Sequence, residues 1–360
     1  MKTPFAQRRR ALLSHLGQHR LGSLLVTRPA NWYYLTGFSG ESGALVVSRR
    51  GTTLITDGRF TAQAREETSG VRIIQQTGSL TAAIGAFLKG AGGGKVGFDA
   101  SHITVSQLAA MRKAGGRRVR WIPSAGHVED FRGRKEPQEL AKMRLAAILA
   151  GEVLEGALKL LKPGVRELEI AAEIEYQMRQ RGASGPAFET IVAFGERSAY
   201  PHARATSKRL RKNELVVLDL GAILAHYCSD ITRTVVVGRA STKIRQWHKA
   251  VQQAQAAAVG AVKAGASCGE VDAAARAILT GHRLDRYFVH STGHGLGLEV
   301  HEDPRVAKGV KRILEPGNVV TIEPGVYVPG VGGIRIEDDV AVHASNTEVL
   351  TRIPRDLIEI

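Results

Sequence analysis

The chain has 360 residues, which is long enough to bury a large core and predicts two domains or one large domain. Apolar residues make up 43% and charged residues 23%, as in soluble globular proteins, and no uncharged apolar run approaches the ~20 residues that span a bilayer. The net charge of +16 could mark a nucleic-acid binder, but the basic residues are scattered and aromatic residues amount to only 5%. We therefore expect neither a membrane nor a nucleic-acid partner and assign the charge to the surface.

The first 128 residues alternate between strand-like and helix-like patterns. An amphipathic helix is expected over residues 5–21 and a β-like run ends at Pro29. The patterns that follow are strands at 44–47, 52–56, 71–75, 95–98 and 118–122, and helices at 61–67, 80–88 and 104–114. This alternation predicts an α/β domain over residues 1–128.

A change of pattern marks the start of a second domain, which we place at residues 129–360. Charged residues, Gly133 and Pro137 interrupt the periodicity there, and Pro137 suits the first turn of a helix. That helix is expected from about 136 to 161, followed by a second from about 166 to 181.

Two segments of the second domain recur in the same order about one hundred residues later. Residues 162–170 resemble 263–271, each after a long helix, and residues 210–221 resemble 314–325. The second match aligns Asp219 with Glu323. We therefore predict an internal repeat of two helices and a hairpin with pseudo-two-fold symmetry.

Asp219 and Asp230 interrupt apolar runs, where an ionised carboxylate requires a partner. A symmetric hairpin would place them opposite each other, roughly 5 Å apart, where they would share a proton or bind a cation. The alternative is that one lies in the turn and the other caps a strand end. The repeat makes Glu323 and Glu337 candidates to oppose each other in the same way.

A histidine-rich stretch precedes Glu323. His294 lies among Gly293, Gly295 and Gly297, and its alternation with Leu296 and Leu298 predicts one face of a strand. A glycine-rich turn with exposed histidines is the alternative. If His294 points inward, its neutral imidazole is a ready ligand for a divalent metal.

Charge balance favours metal binding over proton sharing. Four carboxylates beside one neutral imidazole would be balanced by two divalent ions, whereas without them several acids would have to be protonated at neutral pH. Oxygen ligands with one nitrogen suit Mn²⁺ first, with Co²⁺ or Zn²⁺ as alternatives. Two such ions can bridge a water and polarise a carbonyl, which predicts a dinuclear metallohydrolase.

The segments DLG, SDITRT, HGLGLEVHE, TIEPG and IRIEDD resemble the metal-ligand motifs of the pita-bread metallopeptidases, the family of methionine aminopeptidase, aminopeptidase P and prolidase. The front domain, through NWYYLTGFSG and LITDGRF, resembles the creatinase-type domain of the proline-specific branch. The resemblance implies an α/β N-terminal creatinase-type domain followed by an α+β pita-bread catalytic domain.

The resemblance also implies a role for each matching residue. Asp219 and Asp230 would hold one ion, His294 and Glu323 would complete the other, and Asp230 and Glu337 would bridge both. Glu323 would also act as base toward a bridging hydroxide. The family further implies that His202 and His301 stabilise the tetrahedral intermediate, that His290 lines the proline pocket, and that Arg335 orders the site or meets a carboxylate.

The implied reaction is hydrolysis of the Xaa-Pro bond in proline-containing peptides. We expect aminopeptidase P activity, with prolidase as the alternative and a non-catalytic pita-bread binding module as a more distant one. Retention of every ligand argues against the binding module. The resemblance further implies a homo-oligomer, either dimer or tetramer. Cys228 and Cys268 are too few for a disulfide framework, so a reducing cytoplasm is the expected location.

Overall fold

The computed structural model describes residues 4–360, which divide into two compact units, one ending at Arg132 and the other spanning Gly133–Ile360. The predicted boundary after residue 128 stays a prediction. None of the helices in residues 4–360 combines the length and hydrophobicity that crossing a bilayer requires.

The first unit is a mixed β-sheet with helices. Over residues 4–132 its strands are β1 (Ser23–Val26), β2 (Ala44–Ser48), β3 (Gly51–Thr56), β4 (Arg72–Gln75), β5 (Gly94–Asp99) and β6 (Val119–Ser124). They pair in the order β4-β3-β2-β1-β5-β6, with β2 antiparallel to both of its neighbours and the other pairs parallel. The predicted α/β alternation is therefore confirmed.

The helices of this unit are α1 (Pro4–Gln18), α2 (Pro29–Thr36), α3 (Thr61–Glu67), α4 (Leu80–Gly90), α5 (Val105–Gly115) and α6 (Glu129–Arg132). Sequence patterns did not predict α2. Pro29, read as the end of a strand, instead occupies the first turn of this helix, and Gly37 closes it with a φ of 82°. Apolar residues from the sheet and from α4 and α5 form the core of the unit.

Two helix pairs organise the second unit: α7 (Pro137–Leu158) with α8 (Glu167–Gln180), and α9 (Thr242–Ala261) with α10 (Cys268–Gly281). Pro137 lies in the first turn of α7, as predicted. At the start of α10, the hydroxyl of Ser267 accepts a bond from the backbone of Glu270, whose side chain bonds back to Ser267.

Short strands fill the remainder of the second unit. They are β7 (Gly185–Pro186), β8 (Ile191–Phe194), β9 (Glu214–Leu220), β10 (Ala222–Leu224), β11 (Tyr227–Cys228), β12 (Ile231–Val237), β13 (Gly293–Gly295), β14 (Glu302–Val306), β15 (Val319–Ile322), β16 (Gly325–Val328), β17 (Gly332–Arg335), β18 (Asp338–Val342) and β19 (Thr347–Val349). The sheets run β12-β9-β8, β11-β10-β7, β14-β13-β15-β18-β19 and β16-β17.

The predicted internal repeat is visible in these elements. The first half consists of α7 and α8 packed on β8, β9 and β12, and the second half consists of α9 and α10 with β13, β15 and β18. In each half the middle strand, β9 or β15, continues through a small hairpin, β10–β11 or β16–β17, into the outer strand, β12 or β18. A separate aliphatic core lies between the helices and strands of each half.

Candidate metal centre

Four of the five predicted ligands, the carboxylates, lie at corresponding points of the two halves. Asp219 is in β9 and Asp230 directly precedes β12, whereas Glu323 directly follows β15 and Glu337 directly precedes β18. His294 is the middle residue of β13. Each half therefore supplies two carboxylates. One lies where the middle strand enters the small hairpin, and the other lies where the chain leaves this hairpin for the outer strand.

Glu323 and Glu337 face each other as predicted. On one side of them Ile322 pairs with Asp338, and on the other side Gly325 pairs with Arg335. Both ladders have the same register, which brings the two glutamates to opposing positions between them.

The predicted register of Asp219 and Asp230 is wrong. Asp219 pairs with Thr232, because the hairpin turns at Ala225 and His226, whose φ angles are 49° and 71°. Such positive φ values usually require glycine or asparagine, so this turn has no sequence signal. Side chains two positions apart on a strand share a face, so Asp230 is a diagonal neighbour of Asp219 on the same side.

The ligand atoms converge without bonding to one another. One ligand atom each from Asp230, His294 and Glu337 lies within 4.8 Å of the other two. His294 Nε2 is 3.7 Å from Asp230 Oδ2 and 3.6 Å from Glu323 Oε1, beyond hydrogen-bond distance. Oδ1 of Asp219 and Oδ1 of Asp230 are buried and have no hydrogen-bond partner among the described residues. Unpaired buried oxygens around one imidazole nitrogen fit divalent ions.

The electrostatics of the protein alone disfavour ionised carboxylates here. Burial, reinforced by neighbouring carboxylates, raises the pKa of Asp230 and of Glu337 well above the ordinary range. Burial also raises the pKa of Glu323 to about 7. Divalent ions would offset this clustered negative charge, so the donor set and its electrostatics both suit a metal centre.

His294 is held as a neutral ligand. Burial lowers its pKa to about 4, and its Nδ1 lies 2.9 Å from the carbonyl oxygen of Gly295. A carbonyl only accepts, so Nδ1 carries the hydrogen and the Nε2 lone pair faces the carboxylates. The predicted strand over 294–298 is too long, because β13 ends at Gly295. A side chain on Gly293 would come within 1.8 Å of Thr321 O, so this glycine permits the close approach of β13 to β15.

Arg335 connects the carboxylates of the two halves. Its Nη2 donates to Asp219 Oδ2 at 2.5 Å and its Nε donates to Thr232 Oγ1 at 3.0 Å. The Thr232 hydroxyl in turn donates to Glu337 Oε2 at 2.5 Å. The structure thus places Arg335 on a carboxylate of the protein itself, and a contact with substrate stays a prediction.

His290 belongs to a hydrogen-bonded chain that starts at Arg335. Arg335 Nη1 donates to the Tyr327 hydroxyl at 2.7 Å, and that hydroxyl lies 2.8 Å from His290 Nε2. His290 Nδ1 lies 2.8 Å from Ser291 O, so Nδ1 carries the hydrogen and Nε2 accepts from Tyr327. Burial lowers the pKa of His290 to about 4 and raises that of Tyr327 to about 12, which keeps both groups neutral.

The other two predicted histidines lie at the edge of the cluster. His301 is largely exposed and has its ring centroid 4.3 Å from that of His294, and the partial burial of its ring lowers its pKa. His202 is exposed and close enough to lower the pKa of both His290 and His301. His301 thus lies beside the predicted ligand His294, and His202 lies near both His301 and His290.

Several residues that support the ligands are not predicted from the sequence. Thr232 lies in the SDITRT motif, but nothing in the motif shows that its hydroxyl bonds to Glu337. Asp339 lies in IRIEDD, and its Oδ2 accepts a bond of 3.0 Å from the backbone N–H of Asp230. Tyr327 lies in no motif, and only the fold shows that it connects Arg335 with His290.

The fold and this acidic, imidazole-containing cluster define a metallopeptidase. The chain belongs to metallopeptidase family M24, whose model matches residues 141–344, and residues 8–133 match the creatinase/prolidase N-terminal domain. The predicted family resemblance, the fold class and the enzyme class, a metallo-exopeptidase, are confirmed. Membership also implies divalent metal ions as cofactors.

Named relatives resemble the chain over nearly its full length. It is 34% identical to an Xaa-Pro dipeptidase of Pyrococcus horikoshii, over 96% of this chain and 97% of that protein. An Xaa-Pro dipeptidase from Bacillus anthracis is similar in structure, with a TM-score of 0.95, 38% identity and coverage of 99% and 100% of the two chains. An X-Pro aminopeptidase from Thermotoga maritima has a TM-score of 0.87, 33% identity and coverage of 95% and 99%.

Proposed function

We propose that the protein is an Xaa-Pro dipeptidase with two divalent metal ions in each subunit. The carrying observation is the buried convergence of Asp230, His294 and Glu337, with Asp219 and Glu323 beside them. This proposal replaces the aminopeptidase P activity expected from sequence, because named dipeptidases are similar to this chain in both sequence and structure. The X-Pro aminopeptidase from Thermotoga maritima keeps that activity as the second candidate.

The family resemblance, which the positions of the carboxylates support, implies how the ions would be shared. Asp219 and Asp230 would hold one ion, His294 and Glu323 the other, and Asp230 and Glu337 would contact both. When bound, the ions would lower the pKa of a water and polarise the scissile carbonyl. Mn²⁺ is the proposed ion, with Co²⁺ or Zn²⁺ as alternatives, because oxygen ligands predominate.

Glu323 is the proposed general base. Its Oε1 accepts a long hydrogen bond of 3.5 Å from Thr321 Oγ1 and faces His294 Nε2 at 3.6 Å, and its Oε2 faces His290 Nδ1 at 4.0 Å, so neither oxygen is engaged by a strong donor. A proton taken from the attacking water would reside on this carboxylate before transfer to the leaving proline nitrogen. His202 and His301 would donate hydrogen bonds to the oxyanion, as their approach to the cluster allows.

His290 is the proposed wall of the proline pocket. Both of its ring nitrogens are already bonded, to Ser291 O and Tyr327 Oη, so it offers an apolar ring face rather than a free donor. The ring of Phe288 lies 5.2 Å from it and that of Tyr327 lies 5.3 Å from it. Such a surface suits a pyrrolidine ring, and an Xaa-Pro bond has no N–H that would need an acceptor.

The remaining expectations belong to the same proposal. A homo-oligomer and a cytoplasmic location stay predictions. The non-catalytic binding module is disfavoured because all five predicted ligands are present, and burial penalises the charge of three of them, Asp230, Glu323 and Glu337.

Comparison of Ala-Pro with Ala-Pro-Ala hydrolysis tests this function. After chelation neither substrate should be cleaved, and added Mn²⁺ should restore activity with kcat/KM for Ala-Pro at least roughly tenfold above that for Ala-Pro-Ala. Ala-Ala is the matched control for the proline requirement. Faster cleavage of the tripeptide would establish the aminopeptidase instead. No Mn²⁺-, Co²⁺- or Zn²⁺-dependent cleavage of either would contradict a peptidase.

A further inference from the structure

Three histidines of the first unit form a cluster that the metallopeptidase centre does not involve. His15 lies in the last turn of α1 and His19 directly after its end, four positions apart and therefore on one side of the chain. His127 lies between β6 and α6. One ring nitrogen from each lies within 4.8 Å of the other two.

The rings are arranged around a common point. The centroid of the His15 ring is 4.4 Å from that of His19 and 5.1 Å from that of His127, and the rings of His19 and His127 are 5.1 Å apart. His15 Nε2 lies 3.0 Å from His127 Nδ1. Two nitrogens bound to one tetrahedral zinc ion at 2.0–2.1 Å lie roughly 3.3 Å apart, so this pair needs little movement to share an ion.

The protein alone leaves this cluster incompletely bonded. His127 is only 9% exposed, and its Nε2 is buried with no hydrogen-bond partner among the described residues. Burial and the neighbouring histidines lower the pKa of both His15 and His127, which favours the neutral form that binds metals. Protonation of one ring, which would let it donate hydrogen bonds to the other two, is therefore unfavourable.

The surroundings favour a cation. The negative charge of Asp130 favours the positively charged forms of His15 and His127, and that of Glu129 favours the charged form of His127. The same carboxylates would attract a bound cation. The C-terminal end of α1, beside which His15 and His19 lie, adds the negative end of the helix dipole.

We propose that His15, His19 and His127 bind a zinc-class divalent ion in the first unit. Three imidazoles are ligands for Zn²⁺, Ni²⁺ or Cu²⁺, unlike the oxygen-rich cluster of the second unit, and water would complete a tetrahedral zinc site. The ion would join the end of the first helix to the segment that follows the last strand of the same unit. It would stabilise this unit without a part in peptide hydrolysis.

Zinc titration of the full-length, chelator-stripped protein tests the proposal. The H19A variant removes an exposed ligand at a helix end, and H102A, which changes an exposed histidine of the same unit outside the cluster, is the matched control. We expect H19A to lose one zinc equivalent or to bind it at least roughly tenfold more weakly, while H102A binds like the unchanged protein. Cleavage of Ala-Pro should not change in H19A.

Electron paramagnetic resonance with Cu²⁺ provides an independent readout, because the metallopeptidase cluster offers a single imidazole. The unchanged protein should give a signal coupled to more than one nitrogen, and H19A, which keeps His15 and His127, should need at least roughly tenfold more Cu²⁺ for this signal or show coupling to fewer nitrogens. Identical zinc isotherms for H19A and the unchanged protein would overturn the proposal. So would an equal loss of zinc binding in H102A, or a copper spectrum of the unchanged protein that is coupled to only one nitrogen.

Discussion

In the first half of the second unit β9 carries Asp219 and Asp230 precedes β12, and in the second half Glu323 follows β15 and Glu337 precedes β18. The other side chains of the centre do not occur at matching positions in both halves. The strand β8, IVAF, is wholly apolar where the corresponding β13 carries His294. A symmetric backbone therefore places the carboxylates, whereas the imidazole comes from one half alone.

The position two residues before the outer carboxylate shows the same difference. Arg335 stands before Glu337 and contacts Asp219, whereas the first half has the buried Cys228 before Asp230. The position two residues after the outer carboxylate contacts the opposite half in both cases. Thr232 of the first half donates to Glu337 of the second, and Asp339 of the second half accepts from the backbone of Asp230 in the first. Each half thus orients a ligand of the other.

The largest effect should follow the loss of a shared ligand. D230N should lower kcat/KM for Ala-Pro on the order of 10³-fold or more, because Asp230 lies at the centre of the donor set. The chelated variant should melt at a higher temperature than the chelated parent, because folding of the parent must bury the Asp230 charge beside Glu337 or protonate it, and asparagine requires neither. D285N, at an exposed aspartate, is the control. A variant that retains normal metal binding and activity would exclude Asp230 as a ligand.

Substitution of Arg335 tests how much catalysis depends on a side chain that has no counterpart in the first half. R335K should lower kcat by roughly 10–100-fold, because a lysine cannot reproduce the separate bonds to Asp219, Thr232 and Tyr327. The exposed Arg352 supplies the control R352K. Steady-state kinetics with metal affinity measured in parallel would show whether the loss arises at the centre. A change in KM alone would instead indicate a direct contact with substrate.

The reciprocal supports should have smaller effects. D339A should weaken metal binding by roughly tenfold, because the N–H of Asp230 loses its acceptor, while D339N keeps an oxygen there and should restore most of the affinity. T232V removes the donor to Glu337 and should have a comparable effect. Metal titrations of the three variants measure this. If D339N and D339A were equally impaired, the hydrogen bond would not be the cause.

The stability of the chelated protein should depend on pH in a direction opposite to most proteins. Asp230, Glu323 and Glu337 have raised pKa values, so the folded chain binds more protons than the unfolded chain and stability falls as pH rises through these values. The lowered pKa values of His290 and His294 act oppositely, but only between about 4 and 6.5. Between pH 6.5 and 8 the melting temperature should therefore fall after chelation and change less with Mn²⁺ bound. An increase in the chelated protein would contradict this charge balance.

Much of this structure was predictable from the sequence, because many of its elements depend only on residues close together in the chain. The helix Thr61–Glu67 and the opposition of Glu323 and Glu337 follow from periodicity and from a glycine-containing turn. The register of Asp219 could not be predicted, because Ala225 and His226 adopt left-handed angles that only tertiary packing enforces. The contacts of Tyr327, and the meeting of His15 with His127, join distant segments and leave no periodic trace in the sequence.

Crystals of the Mn²⁺-loaded protein, measured at a wavelength where manganese scatters anomalously, test most directly whether these side chains form one metal centre. We expect two anomalous peaks about 3.5–4 Å apart, in contact with Asp219, Asp230, His294, Glu323 and Glu337. The absence of a peak at this position, with the carboxylates paired only with arginine and lysine, would contradict a metal centre here.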